Sequence, residues 1–120
     1  MATILIVEDN PANMELAVFL LRSAGHTVLL ATDAESGMAL ARDARPALIL
    51  MDIQLPGMDG LAATAHLKRQ HETRAIPVIA LTALAMKGDE ERIRAAGCDG
   101  YIAKPIQYRE FLATIAARFA

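Results

Sequence analysis

LILMDIQLPGMDG spans residues 48–60, and the rest of the chain can be ordered around it. Residues 47–51 form an apolar run of strand length, opened by Arg45-Pro46. The run lacks the apolar/polar alternation of a half-wet strand, so it reads as a strand buried on both faces, as parallel strands covered by helices are. A carboxylate, Asp52, follows immediately. Then Gln54, Leu55, Pro56 and Gly57 make a turn whose backbone can approach a ligand closely.

Three similar runs lie at Thr3–Val7, Thr27–Ala31 and Val78–Leu81, with a weaker one at Gly100–Ala103. None alternates, so all are expected to be buried on both faces. Between them, helical spacing is carried by Met14, Leu16, Ala17, Leu20 and Leu21, by Met38, Ala39, Ala41 and Arg42, and by Leu61, Thr64, Ala65 and Leu67. A last helix is expected over residues 108–119. Asn10-Pro11 supplies an N-cap with proline at the first helical position, Gly25 a helix stop, and Thr32 or Asp33 a second cap. Arg45-Pro46, Ile76-Pro77 and Gly97 are expected to close later helices. Five β-α units in succession predict an α/β, doubly wound parallel sheet with helices on both faces.

Those units use all 120 residues, so one domain over residues 1–120 is expected. The hydrophobic share of 54% comes from 24 alanines, 15 leucines and 10 isoleucines, with 4% aromatics, so the core must be aliphatic. Twelve basic against fourteen acidic residues leave a charge of -2, which argues against nucleic acid as a direct partner. Acidic residues follow the first short apolar run, and charges or proline interrupt the later ones, which argues against a signal peptide or membrane insertion and for a cytoplasmic protein. The single cysteine, Cys98, reads as a buried or half-buried thiol, and no zinc spacing is present.

A sheet of this kind binds ligands at the carboxyl ends of its strands. Those ends carry Glu8, Asp9 and Asn10; Thr32 and Asp33; Asp52 and Gln54; Thr82; and Lys104. Glu8, Asp9 and Asp52 bring three carboxylates together, a donor set suited to Mg2+, with Mn2+ an acceptable substitute. Lys104 adds a positive charge, and Thr82 a hydroxyl. Each residue alone has a bland reading as a turn residue or surface ion pair, with Lys104 pairing to Glu8 or Asp9. Placed together, they describe a carboxylate equipped to accept a phosphoryl group. Asp52, after the most hydrophobic strand, is the candidate nucleophile.

At this point the chain resembles a bacterial response-regulator receiver domain over its whole length. The resemblance rests on LIVEDN at 5–10, LILMDIQLPGMDG at 48–60, ALTA at 80–83 and AGCDGYIAKPI at 96–106. The segment 85–94, AMKGDEERIR, is further similar to the DivK-type single-domain regulators of cell division and polarity. The resemblance implies a flavodoxin-like (βα)5 sandwich with strand order 2-1-3-4-5. It implies Asp52 as phosphoacceptor, Glu8, Asp9, Asp52 and the Gln54 backbone carbonyl as metal holders, and catalytic support from Thr82 and Lys104. It also implies Thr82 and Tyr101 as the switch pair, a cis-proline turn at Lys104-Pro105, and an output surface including Ala85, Ile106 and Tyr108. The implied partners are a sensor histidine kinase or histidine phosphotransfer protein, and a downstream protein target.

A receiver from a hybrid kinase is a close alternative. A magnesium-dependent aspartyl phosphatase of the haloacid dehalogenase type is weaker, because an acid two residues after the nucleophile is replaced by Gln54. A flavin or nucleotide binder lacks its phosphate loop. A switch also needs a movable segment: Asp89, Glu90 and Glu91 form a plausible cap and acidic first turn for the fourth helix, leaving residues 83–87 as a mobile recognition segment. Gly88 is otherwise a helical glycine. Met51, Met58 and Met86 read as gap-fillers. His66 and His71, placed on the third helix, and His26 read as exposed polar residues, and Arg92 and Arg94 as part of a solvated charged face.

Overall fold

The computed structural model describes residues 2–83 and 87–119. Five strands, β1 (Thr3–Val7), β2 (Thr27–Ala31), β3 (Leu48–Asp52), β4 (Val78–Thr82) and β5 (Gly100–Ala103), alternate with α1 (Pro11–Ser23), α2 (Ala34–Ala44), α3 (Gly60–Arg69), α4 (Lys87–Ala95) and α5 (Tyr108–Ala117). All pairings are parallel and the order is β2-β1-β3-β4-β5, as expected. The order reverses between β1 and β3, and the carboxyl ends of those two strands carry Glu8 and Asp52.

Successive strand residues feed two cores. Leu5, Val7, Ile49 and Met51 pack with Ala34, Ala41, Ala63, Leu67 and Ile93 from α2, α3 and α4. Ile4, Ile6, Leu48 and Leu50 pack with Ala17, Leu20, Leu21, Phe111 and Ile115 from α1 and α5. Phe111 is the one fully buried aromatic; small alanines elsewhere let helices lie close to the sheet.

Burial on both faces holds for the inner strands β1, β3 and β4 and fails for the outer two. In β2, Thr27 and Leu30 are exposed, and in β5, Tyr101 and Ala103 are exposed. An outer strand has a neighbour on one side only, so its helix covers it incompletely.

The caps fall largely where the sequence puts them. Asn10 accepts from the Asn13 amide (3.0 Å) with Pro11 opening α1, and Asp33 accepts from Ser36 (2.7 Å). Gly25 and Gly97 take φ of +91° and +105°, the left-handed conformation of a helix stop. Four expectations change. Ile76-Pro77 opens β4 instead of closing a helix: α3 already ends at Arg69. His71 therefore lies beyond α3, although it and His66 are exposed as expected. His26 is half-buried, accepting from the Ala2 amide (3.3 Å) and lying tilted against the Phe119 ring, centroids 5.8 Å apart. α4 begins at Lys87, so Gly88 is helical and Asp89 lies inside the first turn, where it pairs with Arg92 at 3.2 Å.

Arg94 pairs with Glu90 on the exposed side of α4. Met51 fills the core, Met58 packs on it, and Cys98 is buried. Met86 and the proposed contact residue Ala85 lie outside the described residues.

Candidate phosphoacceptor site

The site is built where β1, β3, β4 and β5 end. Asp52 is the last residue of β3 and lies opposite Leu81 of β4; Thr82, the last residue of β4, is the next one along. Lys104 follows β5, and its amide donates to the Thr82 carbonyl at 2.7 Å. This bond ties the lysine to the strand that carries the threonine. The Lys104-Pro105 peptide is cis, as the resemblance implied.

The side chains converge. Lys104 Nζ lies 2.8 Å from Glu8 Oε1 and 3.1 Å from Asp52 Oδ2, so the lysine bridges two carboxylates instead of pairing with one of Glu8 and Asp9. Glu8 Oε1 is shielded from water and makes no aligned hydrogen bond. The 2.8 Å contact is nevertheless close enough to act as an ion pair, and at this burial charge matters more than alignment. The other Glu8 oxygen accepts the Asp9 amide at 3.1 Å, while Asp52 Oδ1 accepts the Gln54 amide at 3.0 Å. That last bond was not legible from residue types, because the donor is main chain.

Oxygens of Glu8, Asp9 and Asp52 lie within 4.8 Å of one another. Glu8 and Asp52 are 1% and 2% exposed, and Asp9 is open to solvent. Three carboxylates facing one ammonium leave two negative charges unmatched when all are ionised. A hard divalent cation fits such an all-oxygen set with one open side. A cleft of about 460 Å³ lined by Asp9, Asn10, Asp52, Gln54, Ala83 and Lys104 leads to it.

The electrostatics distinguish the acids. Burial, reinforced by hydrogen bonding to Glu8 and its negative charge, raises the Asp52 pKa to about 6 against the pull of the Gln54 amide and Lys104. Burial also opposes ionisation of Glu8, but bonds from the Asp52 carboxyl and Lys104 outweigh it and hold Glu8 below its ordinary value. Lys104 is kept charged: pairing with Glu8 and Asp52 overcomes its own desolvation. When the metal-free pair holds one proton, below about pH 6, that proton is therefore on Asp52.

Thr82 is fully buried and Tyr101 is 40% exposed. Ile106 is half-buried against the α1/α5 core and Tyr108 is exposed at the start of α5, with the Arg109 guanidinium 5.6 Å from its ring centroid.

The response regulator receiver domain family matches residues 4–116. A polar-differentiation response regulator DivK from Brucella anthropi is 51% identical over 113 residues, covering 94% of this chain and 92% of that one; its counterpart in Brucella ovis is 50% identical over the same shares. Among solved structures, the receiver domain of a sensor histidine kinase from Pseudomonas aeruginosa, with a magnesium ion coordinated in its active-site cleft, is 40% identical. It superposes with a TM-score of 0.89 over 97% of this chain and 95% of that one. A chemotaxis response regulator of Vibrio cholerae is 26% identical with a TM-score of 0.93, over 98% of each chain. Among the described residues no helix is long and apolar enough to cross a membrane.

Proposed function

This chain belongs to the response regulator receiver domain family of two-component signalling, and from that premise we propose that it is a single-domain regulator that accepts a phosphoryl group on Asp52 and signals through its own surface. The observation that carries the reading is the Asp52 carboxylate itself: buried, 3.1 Å from the Lys104 ammonium, and grouped with two further acids at the mouth of a cleft.

Glu8, Asp9, Asp52 and the Gln54 carbonyl are the groups that would hold Mg2+ or Mn2+. The cation would neutralise charge on the transferring phosphoryl group and keep Asp52 ionised. Asp52 supplies the nucleophilic oxygen. A bond forms from that oxygen to phosphorus as the P–N bond to the donor histidine breaks, and the imidazole nitrogen leaves with the bonding pair. Lys104 offers positive charge to the phosphoryl oxygens, and the Gln54 amide holds the other Asp52 oxygen in place. The donor is a histidine kinase or a histidine phosphotransfer protein.

The acquired charge gives the Thr82 hydroxyl a new acceptor, and Tyr101, half in solvent before phosphorylation, follows it inward. Ile106 and Tyr108 beside this element form the output surface for a downstream protein. The likeness to the DivK regulators over 92% of their length supports a role in cell-cycle or polarity control. The 40% identity to a kinase-borne receiver supports a second reading, a receiver from a hybrid kinase.

Incubation with a small phosphodonor and Mg2+, followed by intact-mass measurement, tests the assignment. The wild type gains one acid-labile phosphoryl group and Asp52→Ala gains none. An unmodified wild type, or a modified variant, would overturn it.

A further inference from the structure

Gly60 is the first residue of α3, a place where glycine weakens a helix and where its φ is not one that demands glycine. Space explains it. A Cβ built on Gly60 would fall inside van der Waals contact of the Asp52 carbonyl oxygen and only 2.8 Å from Asp52 C and Ile53 Cα. Of the seven glycines, Gly60 alone would drive a side chain into backbone: Gly37, Gly97 and Gly100 would meet side-chain atoms, and Gly25, Gly57 and Gly88 would meet nothing.

The contact is braced. The Gly60 amide donates to the Ile53 carbonyl (3.2 Å), the Thr64 hydroxyl donates to the Gly60 carbonyl (2.8 Å, buried), and Asp59 caps the helix through the Ala62 amide (2.8 Å). On the far side of the same short segment, Asp52 Oδ1 accepts from the Gln54 amide.

We propose that Gly60 is a positioning residue for the phosphoacceptor: by carrying no side chain it lets the first turn of α3 seat on the main chain of Asp52 and Ile53, which fixes the Asp52 carboxylate against the Gln54 amide. This rests on the reading of Asp52 as phosphoacceptor. Relieving 2.8 Å carbon contacts to ordinary separation needs a shift of about 1 Å, and a displacement of about 1 Å at a reacting group can cost ~100-fold in rate.

The test uses the full chain and three measurements on wild type, Gly60→Ala and Gly97→Ala: Mg2+ affinity by calorimetry, the Gln54 amide resonance, and the rate of phosphorylation by a small phosphodonor. Gly97→Ala, strained at φ +105° and pressed on Lys68 before β5, reports what lost stability alone does. Gly60→Ala is expected to bind Mg2+ about tenfold more weakly, to move the Gln54 amide and to slow phosphorylation, while Gly97→Ala keeps wild-type affinity and amide position. Equal affinities in wild type and Gly60→Ala, or equal losses in the two variants, overturn the proposal. If Gly60→Ala does not fold, Thr64→Val decides, because it removes the brace and leaves the glycine: a several-fold loss of Mg2+ affinity supports the proposal and wild-type affinity defeats it. A wild type that neither binds Mg2+ nor takes up phosphate defeats the phosphoacceptor reading instead, a result separable from any difference between variants.

Discussion

Glu8 and Asp52 are two buried acids at neighbouring strand ends, and burial alone would raise both pKa values. What separates them is their partners: Glu8 has Lys104 at 2.8 Å, while Asp52 has the ammonium at 3.1 Å and the negative Glu8 beside it. Of the two, Asp52 is thus the acid that gives up its proton last as pH rises, and a cation beside it would favour its ionised form. The convergence of Glu8, Asp9, Asp52, Thr82 and Lys104 was legible because each closes or follows an apolar strand and the parallel sheet brings strand ends together. The Lys104 bridge, the Gln54 amide and the Gly60 contact were not, since they depend on backbone position, which residue type does not encode. In the proposed switch, Thr82 is the residue that gains an acceptor on phosphorylation. Thr82→Ala is expected to take up one phosphoryl group, because Asp52 and Lys104 remain, and to lose the phosphorylation-dependent change in the Tyr101 ring resonances. A Tyr101 response of wild-type size in Thr82→Ala removes the threonine from the switch.

Among the helices, α4 brings the fewest described residues into the core. Its sequence, KGDEERIRA, offers only Ile93 to the core, and its surface pairs, Asp89 with Arg92 and Glu90 with Arg94, are exposed ion pairs of small worth. Its start could not be read from the sequence because the acidic run at 89–91 is equally suited to a cap and to a first turn. β2 and β5 misled for a related reason: their apolar composition matches that of the inner strands, and position at the sheet edge is a property of topology alone. Gly88 gives a direct measure of α4. A Cβ there meets nothing within 4 Å, so Gly88→Ala should stabilise the helix by about 0.5–1 kcal/mol, through propensity and a less free unfolded chain. Slower amide exchange confined to α4, with a small rise in the urea midpoint, is the expected signature. A destabilised variant would mean that Gly88 serves a conformation other than the helical one.

At the scale of the molecule, the doubly wound parallel sheet and the two aliphatic cores follow from five apolar runs, short connections and abundant alanine, whereas the strand order was legible only through the family resemblance. The same architecture makes global stability depend on the site, because Glu8 and Asp52 lie in the sheet's own strand ends. The folded-state pKa of Asp52, about 6, lies above its ordinary 3.8. Its contribution to stability is therefore fully present below about pH 4 and is lost as pH rises through about 6. Glu8, held below its ordinary 4.5, contributes in the opposite sense: its stabilisation is present above that value and is lost as pH falls through its lower folded-state pKa. These two groups together should thus favour the metal-free fold most near pH 4, with the Asp52 loss toward neutrality on the order of 3 kcal/mol at most. A cation binds the ionised cluster, so Mg2+ should raise the thermal midpoint more at pH 7 than at pH 5; at a hundredfold excess over its dissociation constant the gain is about 2.7 kcal/mol. Asp52→Asn removes the titrating group while Glu8 keeps Lys104 paired. It should be more stable than the metal-free wild type at pH 7, should lose the decline between pH 5 and 7, and should respond little to Mg2+. Thermal scans of both proteins with Mg2+ or with a chelator, at pH 5 and 7, measure all three effects. A wild type whose midpoint is flat across this interval, or an Asp52→Asn protein stabilised by Mg2+ as strongly as the wild type, would show that the strain of the acid cluster is not centred on Asp52.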